Sequence, residues 1–193
     1  GMRNNQTGLY MRTTFELTAA ELAAITTLQL EVDYDDGFIT YLNGYEVARG
    51  NLGSPGDVIP YDATTSGSHG ASTDNGGTFD PDLLTISKEN LRVGTNILAG
   101  QVHNSSIGSS DLILHMALRS TGAGGVEFVG PDALYSYFIG TAEPSGGATV
   151  SKVADLEFSD WIELHNPTGA TVDISGWGIS DDASNPAKSI FPV

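Results

Sequence analysis

Apolar positions along this chain recur mostly every second residue, with almost no sustained helical spacing, and that pattern predicts strands. Residues Leu9 to Leu17 read as a first strand, alternating through Met11, Thr13 and Phe15. Thr18-Ala19-Ala20-Glu21 then fits a capping box, in which the Thr hydroxyl and the Glu carboxylate satisfy free N–H groups at a helix start. Only a short helical turn fits before Leu28 to Val32 resumes strand character. Further strands are predicted at Leu83 to Ile86, Leu91 to Val102 and Leu112 to Leu118. Strands separated by turns, without long helices between them, argue for an all-β fold, an antiparallel sandwich.

The run from Asp35 to Arg49 contains the sharpest local signal. Its apolar residues, Phe38 to Leu42 and Val47, flank Asn43-Gly44. A type I′ turn needs positive φ at both central residues, and Asn-Gly meets that demand. From Gly50 to Pro81 the chain is rich in Gly, Ser, Thr, Asp and Pro and poor in apolar residues. A loop that long inside a compact domain is unusual and commonly functional.

Two stretches carry a resemblance. Asp35-Asp36-Gly37, a strand, and then Tyr41-Leu42-Asn43-Gly44-Tyr45-Glu46-Val47 resemble the central hairpin of galactose-binding-like jelly rolls. Gly94-Thr95-Asn96-Ile97-Leu98-Ala99 is similar to the turn that feeds a buried central strand in the same modules. The resemblance implies an antiparallel jelly-roll β-sandwich over residues 9–120. Past Gly122-Ala123-Gly124-Gly125, the expected boundary, the texture changes. Asp160-Trp161-Ile162-Glu163-Leu164, Asn166-Pro167, Ile174-Ser175-Gly176-Trp177 and Asp181-Asp182 resemble the front half of a bacterial lamin-tail domain. That implies a partial immunoglobulin-like sandwich over residues 130–193, with Trp161 and Trp177 as core. A half-sandwich exposes unpaired strand edges, so packing on the first module or self-association through this segment is expected.

Charge narrows the partners. With 24 acidic against 8 basic residues the net charge is −16, which repels nucleic acid and anionic lipid. Neutral sugars, divalent cations and basic partners remain. No apolar run is long enough to span a bilayer, so no membrane insertion is expected. There are no cysteines, which excludes disulfides, thiolate metal sites and a cysteine nucleophile. The Gly1-Met2 start reads as an expression scar, with a signal peptide expected upstream in the natural protein.

Asp33, Asp35 and Asp36 crowd the approach to the hairpin and suit a hard cation such as Ca²⁺, which takes oxygen ligands at flexible geometry. Asp-Asp-Gly is also similar to the calcium-and-sugar loop of PA14-type adhesins. Alternation nonetheless sends Asp35 and Asp36 to opposite faces of a regular strand, and Asp-Gly is an ordinary turn dipeptide. His103 ends a predicted strand and, with Asp111 further on, completes a candidate ligand set of Asp35, Asp36, His103 and Asp111. The competing role for His103 is a hydrogen bond to loop backbone. His69 and His115 are expected to face solvent, and His165 to serve a turn. Tyr34, Tyr41, Tyr45 and Tyr61 suit either a sugar face or cross-strand packing. No Gly-x-Ser-x-Gly elbow, Ser-x-x-Lys or paired-histidine helix occurs, so no enzyme activity is expected. The reading is a non-catalytic accessory or adhesion module of a larger secreted or cell-surface bacterial protein, binding carbohydrate. The alternatives are a structural spacer and a hydrolase using carboxylates in the loop rim.

Overall fold

The computed structural model describes residues 2–122, 125–142, 174–175, 178–179 and 189–190. The chain divides into two compact units, Gly1–Phe158 and Ser159–Val193. The first unit is nearly all β. Its strands are β1 (Gly8–Leu17), β2 (Thr27–Asp35), β3 (Gly37–Leu42), β4 (Tyr45–Gly50), β5 (Asp82–Ile86), β6 (Gly94–His103), β7 (Ile113–Thr121), β8 (Glu127–Val129) and β9 (Ser136–Ile139). One six-residue helix, α1 (Ala19–Ala24), follows β1. Two antiparallel sheets form a sandwich: a five-stranded sheet in the order β4-β3-β6-β1-β9 and a four-stranded sheet in the order β5-β2-β7-β8.

Local chemistry explains the elements. In β2 the residues Leu28, Leu30, Val32 and Tyr34 point into the core, while Gln29, Glu31, Asp33 and Asp35 take the other face. The core between the sheets is built on Phe15, Leu17, Leu30, Phe38, Leu42, Leu98, Val102, Met116 and Leu118. The capping box forms as predicted: Glu21 N–H donates to Thr18 Oγ1 at 3.2 Å and Thr18 N–H donates to Glu21 Oε2 at 2.8 Å. The hairpin turn also forms, with φ of 51° at Asn43 and 84° at Gly44. The Asn43 side chain ties that turn to β6, since Nδ2 donates to Asn96 Oδ1 at 2.8 Å and Ile97 N–H donates to Asn43 Oδ1 at 2.8 Å.

Every residue of β3 is buried, which simple alternation does not explain. The loop after β4 folds over the outer face of the five-stranded sheet, and a second core of Ile39, Tyr41, Leu52, Ile59 and Ala99 forms there. Arg49 holds the base of this loop by donating to Leu52 O at 2.7 Å and Asp57 O at 2.9 Å while pairing with Glu46.

The strands on either side of the glycine-rich stretch, β7 and β8, both belong to the first unit and pair with each other. Gly122 has φ of 109° and Gly125 N–H donates to Gly122 O at 3.1 Å, so β8 returns to pair with β7. β9 then adds to β1 through Leu9↔Ile139 and Met11↔Tyr137. Residues 127–139, which sequence reading places beyond the end of the first domain or at the start of the second, therefore complete the first sandwich. Composition marked the turn but carried no information about its strand partners. In the second unit an antiparallel pair, β10 (Gly178–Ile179) with β11 (Ser189–Ile190), is described. His165, Trp161, Trp177 and most of the lamin-tail-like motif lie outside the described residues.

Candidate functional site

Three aspartates stand where β2 runs out at the rim of the sandwich, Asp33 and Asp35 in the strand and Asp36 in the bend after it. Asp33 is 4 % exposed and accepts four hydrogen bonds. Its Oδ1 accepts from Ser72 N–H at 2.6 Å, and its Oδ2 accepts from Ser72 Oγ at 2.9 Å, Thr73 N–H at 3.3 Å and Thr73 Oγ1 at 3.0 Å. Asp36 is equally buried. Its Oδ1 accepts from His69 N–H at 2.8 Å and its Oδ2 from Ser105 N–H at 2.7 Å. Both carboxylates are therefore engaged with loop backbone.

Asp35 looks elsewhere. One oxygen of each of Asp35, Asp74 and Asp111 lies within 4.8 Å of the others. Asp74 opens the 3₁₀ turn Asp74–Gly76 in the long loop, and Asp111 ends the loop before β7. The three grade from buried Asp35 through half-buried Asp74 to exposed Asp111. Burial first, then the charges of Asp36, Asp111 and Asp74, push the Asp35 carboxyl up to about 7. Ser109 Oγ donates to Asp111 Oδ1 at 3.2 Å, orienting that side chain.

The trio fits a hard divalent cation. Ca²⁺–oxygen bonds run about 2.3–2.6 Å, so oxygens sharing one ion lie within about 5 Å of each other. Carboxylate, backbone carbonyl, water or sugar hydroxyl oxygens would complete a shell of the usual size. Among the described residues these acidic side chains are the group close enough to share an ion.

The sequence-predicted set is thus rearranged. Asp33, Asp35 and Asp36 do not converge as a metal trio, because loop donors occupy Asp33 and Asp36 while Asp35 meets Asp74 and Asp111. Of the ligand candidates, the structure brings Asp35 and Asp111 together and adds Asp74. His103 does not join them: it is fully buried, with Nδ1 3.0 Å from Ala63 O, pinning the long loop. His69, expected in solvent, stacks on Tyr34 with ring centroids 4.0 Å apart. His115 is exposed, as expected, with Phe79 beside it. Tyr34 and Tyr41 are core residues, and Tyr45 is 61 % exposed on the hairpin turn. Asp74 escaped sequence reading although Ser72-Thr73-Asp74-Asn75-Gly76 concentrates side-chain hydrogen-bonding groups around a turn in the loop singled out for its length.

No family model matches the chain, and no curated protein matches it. In structure it is similar to the α-L-rhamnosidase of Streptomyces avermitilis, solved in complex with L-rhamnose, with a TM-score of 0.52 at 21% identity. The match covers 83% of this chain and 13% of that one, so the chain corresponds to a small part of that enzyme. The likeness defines the class: an antiparallel β-sandwich.

Proposed function

We propose that this chain is a non-catalytic accessory module of the galactose-binding-like type, carried by a larger secreted or cell-surface protein, and that it binds carbohydrate through a calcium ion at its carboxylate rim. The observation that carries this reading is the convergence of Asp35, Asp74 and Asp111 within 4.8 Å. Three carboxylates held that close repel one another, and a divalent cation removes the repulsion while leaving coordination positions for vicinal sugar hydroxyls. The structural likeness to part of a carbohydrate-active enzyme supports a role in sugar recognition. The segment after the sandwich is, on this reading, a partial lamin-tail-like domain available for self-association.

Thermal melting after chelator treatment, with and without millimolar calcium, is the test. A ligand that binds only the folded state raises its stability by mass action. A rise lost in Asp74→Asn and Asp111→Asn, followed by calcium-dependent binding of L-rhamnose or another neutral sugar, is expected. A melting temperature indifferent to calcium would return the module to the role of a spacer.

A further inference from the structure

We infer that Asp33 and Asp36 are positioning residues for the rim: they set the two loops that carry Asp74 and Asp111 and leave ligation to Asp35, Asp74 and Asp111. The inference rests on the cation-holding reading of the rim.

A carboxylate has about four lone-pair sites. Asp33 accepts four hydrogen bonds, one at Oδ1 and three at Oδ2, from two backbone N–H groups and two hydroxyls of Ser72 and Thr73. Those residues immediately precede Asp74, so the latch acts one residue from a proposed ligand. Asp36 joins both loops at once. One oxygen takes His69 N–H from the long loop and the other takes Ser105 N–H from the loop that ends at Asp111. Its carbonyl accepts from Asn51 Nδ2 at 2.9 Å, which adds the start of the long loop to the same anchor. Both aspartates are 4 % exposed, and a buried carboxylate stripped of its donors is strongly disfavoured. Neither loop can therefore swing away without breaking these hydrogen bonds. Neighbouring aspartates at the end of β2 divide the work: Asp35 meets the ligand group and Asp36 meets the loop backbone.

The test uses the full chain and two readouts: amide hydrogen exchange in chelator, and calcium titration by calorimetry. Asp33→Asn is expected to speed exchange over residues 69–76 at least tenfold, with β6 amides unchanged as the control for folding, and to weaken calcium at least tenfold. Asp36→Asn should loosen residues 66–70 and 104–111 together. Asp74→Asn should weaken calcium with loop exchange unchanged. The paired change Ser72→Ala with Thr73→Val leaves the carboxylate in place and removes two donors. It should loosen the same segment and weaken calcium about threefold, which keeps the inference testable if Asp33→Asn fails to fold. Loss of calcium binding in Asp33→Asn without faster loop exchange would make Asp33 a ligand and overturn the inference. Unchanged exchange and affinity would also overturn it. If the wild-type chain takes no calcium, the cation reading fails; the exchange arm then decides the latches alone, faster loop exchange upholding them and unchanged exchange overturning them.

Discussion

His69 lies flat on Tyr34, with ring centroids 4.0 Å apart and planes 4° from parallel, and its Nδ1 donates to the Tyr34 carbonyl at 3.0 Å. Tyr34 packs in turn on Phe38, centroids 4.4 Å apart, so a residue of the polar loop is joined to the hydrophobic core by two ring contacts. Aromatic pairs contribute about 0.5–1.5 kcal/mol beyond area burial. His69→Ala is expected to cost about 1 kcal/mol in urea unfolding, and His69→Phe, which keeps the stack and loses the hydrogen bond, less. Equal stability of all three would show that the stack contributes nothing.

Asp35 should make stability depend on pH in an unusual direction. Its folded pKa, about 7, lies above the unfolded value near 3.8, so the folded state holds the proton more tightly. Its contribution is fully present below pH 4 and is lost as pH rises through 7. A shift of this size corresponds to roughly 4 kcal/mol at most, and to less once solvent screening at the rim is allowed for. Asp35→Asn, which cannot ionise, should therefore be more stable than wild type at pH 8 in chelator and equal to it near pH 4. Melting curves at the two pH values would refute this if the two chains stayed parallel.

Calcium binding should run the opposite way with pH. The ion needs Asp35 ionised, so it must displace a proton wherever the carboxyl is still protonated. Affinity is expected to rise about tenfold between pH 6 and pH 8 (the fraction ionised near a pKa of about 7 changes by nearly that factor). Calorimetry in buffers of different ionisation enthalpy would detect the proton released. A flat profile would remove Asp35 from the ligand set.

The hairpin turn offers a test of the scaffold away from the rim. Asn43 has φ of 51° and its side chain joins the turn to Asn90 O, Asn96 Oδ1 and Ile97 N–H. Asn43→Ala strains the turn and leaves the fully buried Asn96 short of a donor. A loss of about 2–3 kcal/mol in urea unfolding is expected, with calcium affinity unchanged. Asn43→Gly relieves the strain and should recover part of that loss.

How much of this was legible in the sequence follows from the range of each interaction. The strands, the Thr18–Glu21 cap and the Asn43-Gly44 turn depend on residues within a few positions of one another. Period-two spacing, positive φ and a capping pair are local properties, and they determined the all-β class without tertiary information. Alternation gives β2 its two faces, but Asp36 stands in the bend after the strand and lies outside that pattern.

Only the tertiary structure decided what those faces meet. The glycine stretch at 122–125 looked like a linker because a turn between paired strands and a turn between domains have the same composition. Asp33, Asp35 and Asp36 looked like one cluster because they are close in sequence. Their partners are far away in it: Ser72, Thr73 and Asp74 from one loop, Ser105 and Asp111 from another. Which loop covers which carboxylate is set by closure over whole strands and by buried charges finding donors. Those contacts exist only once the two sheets have packed.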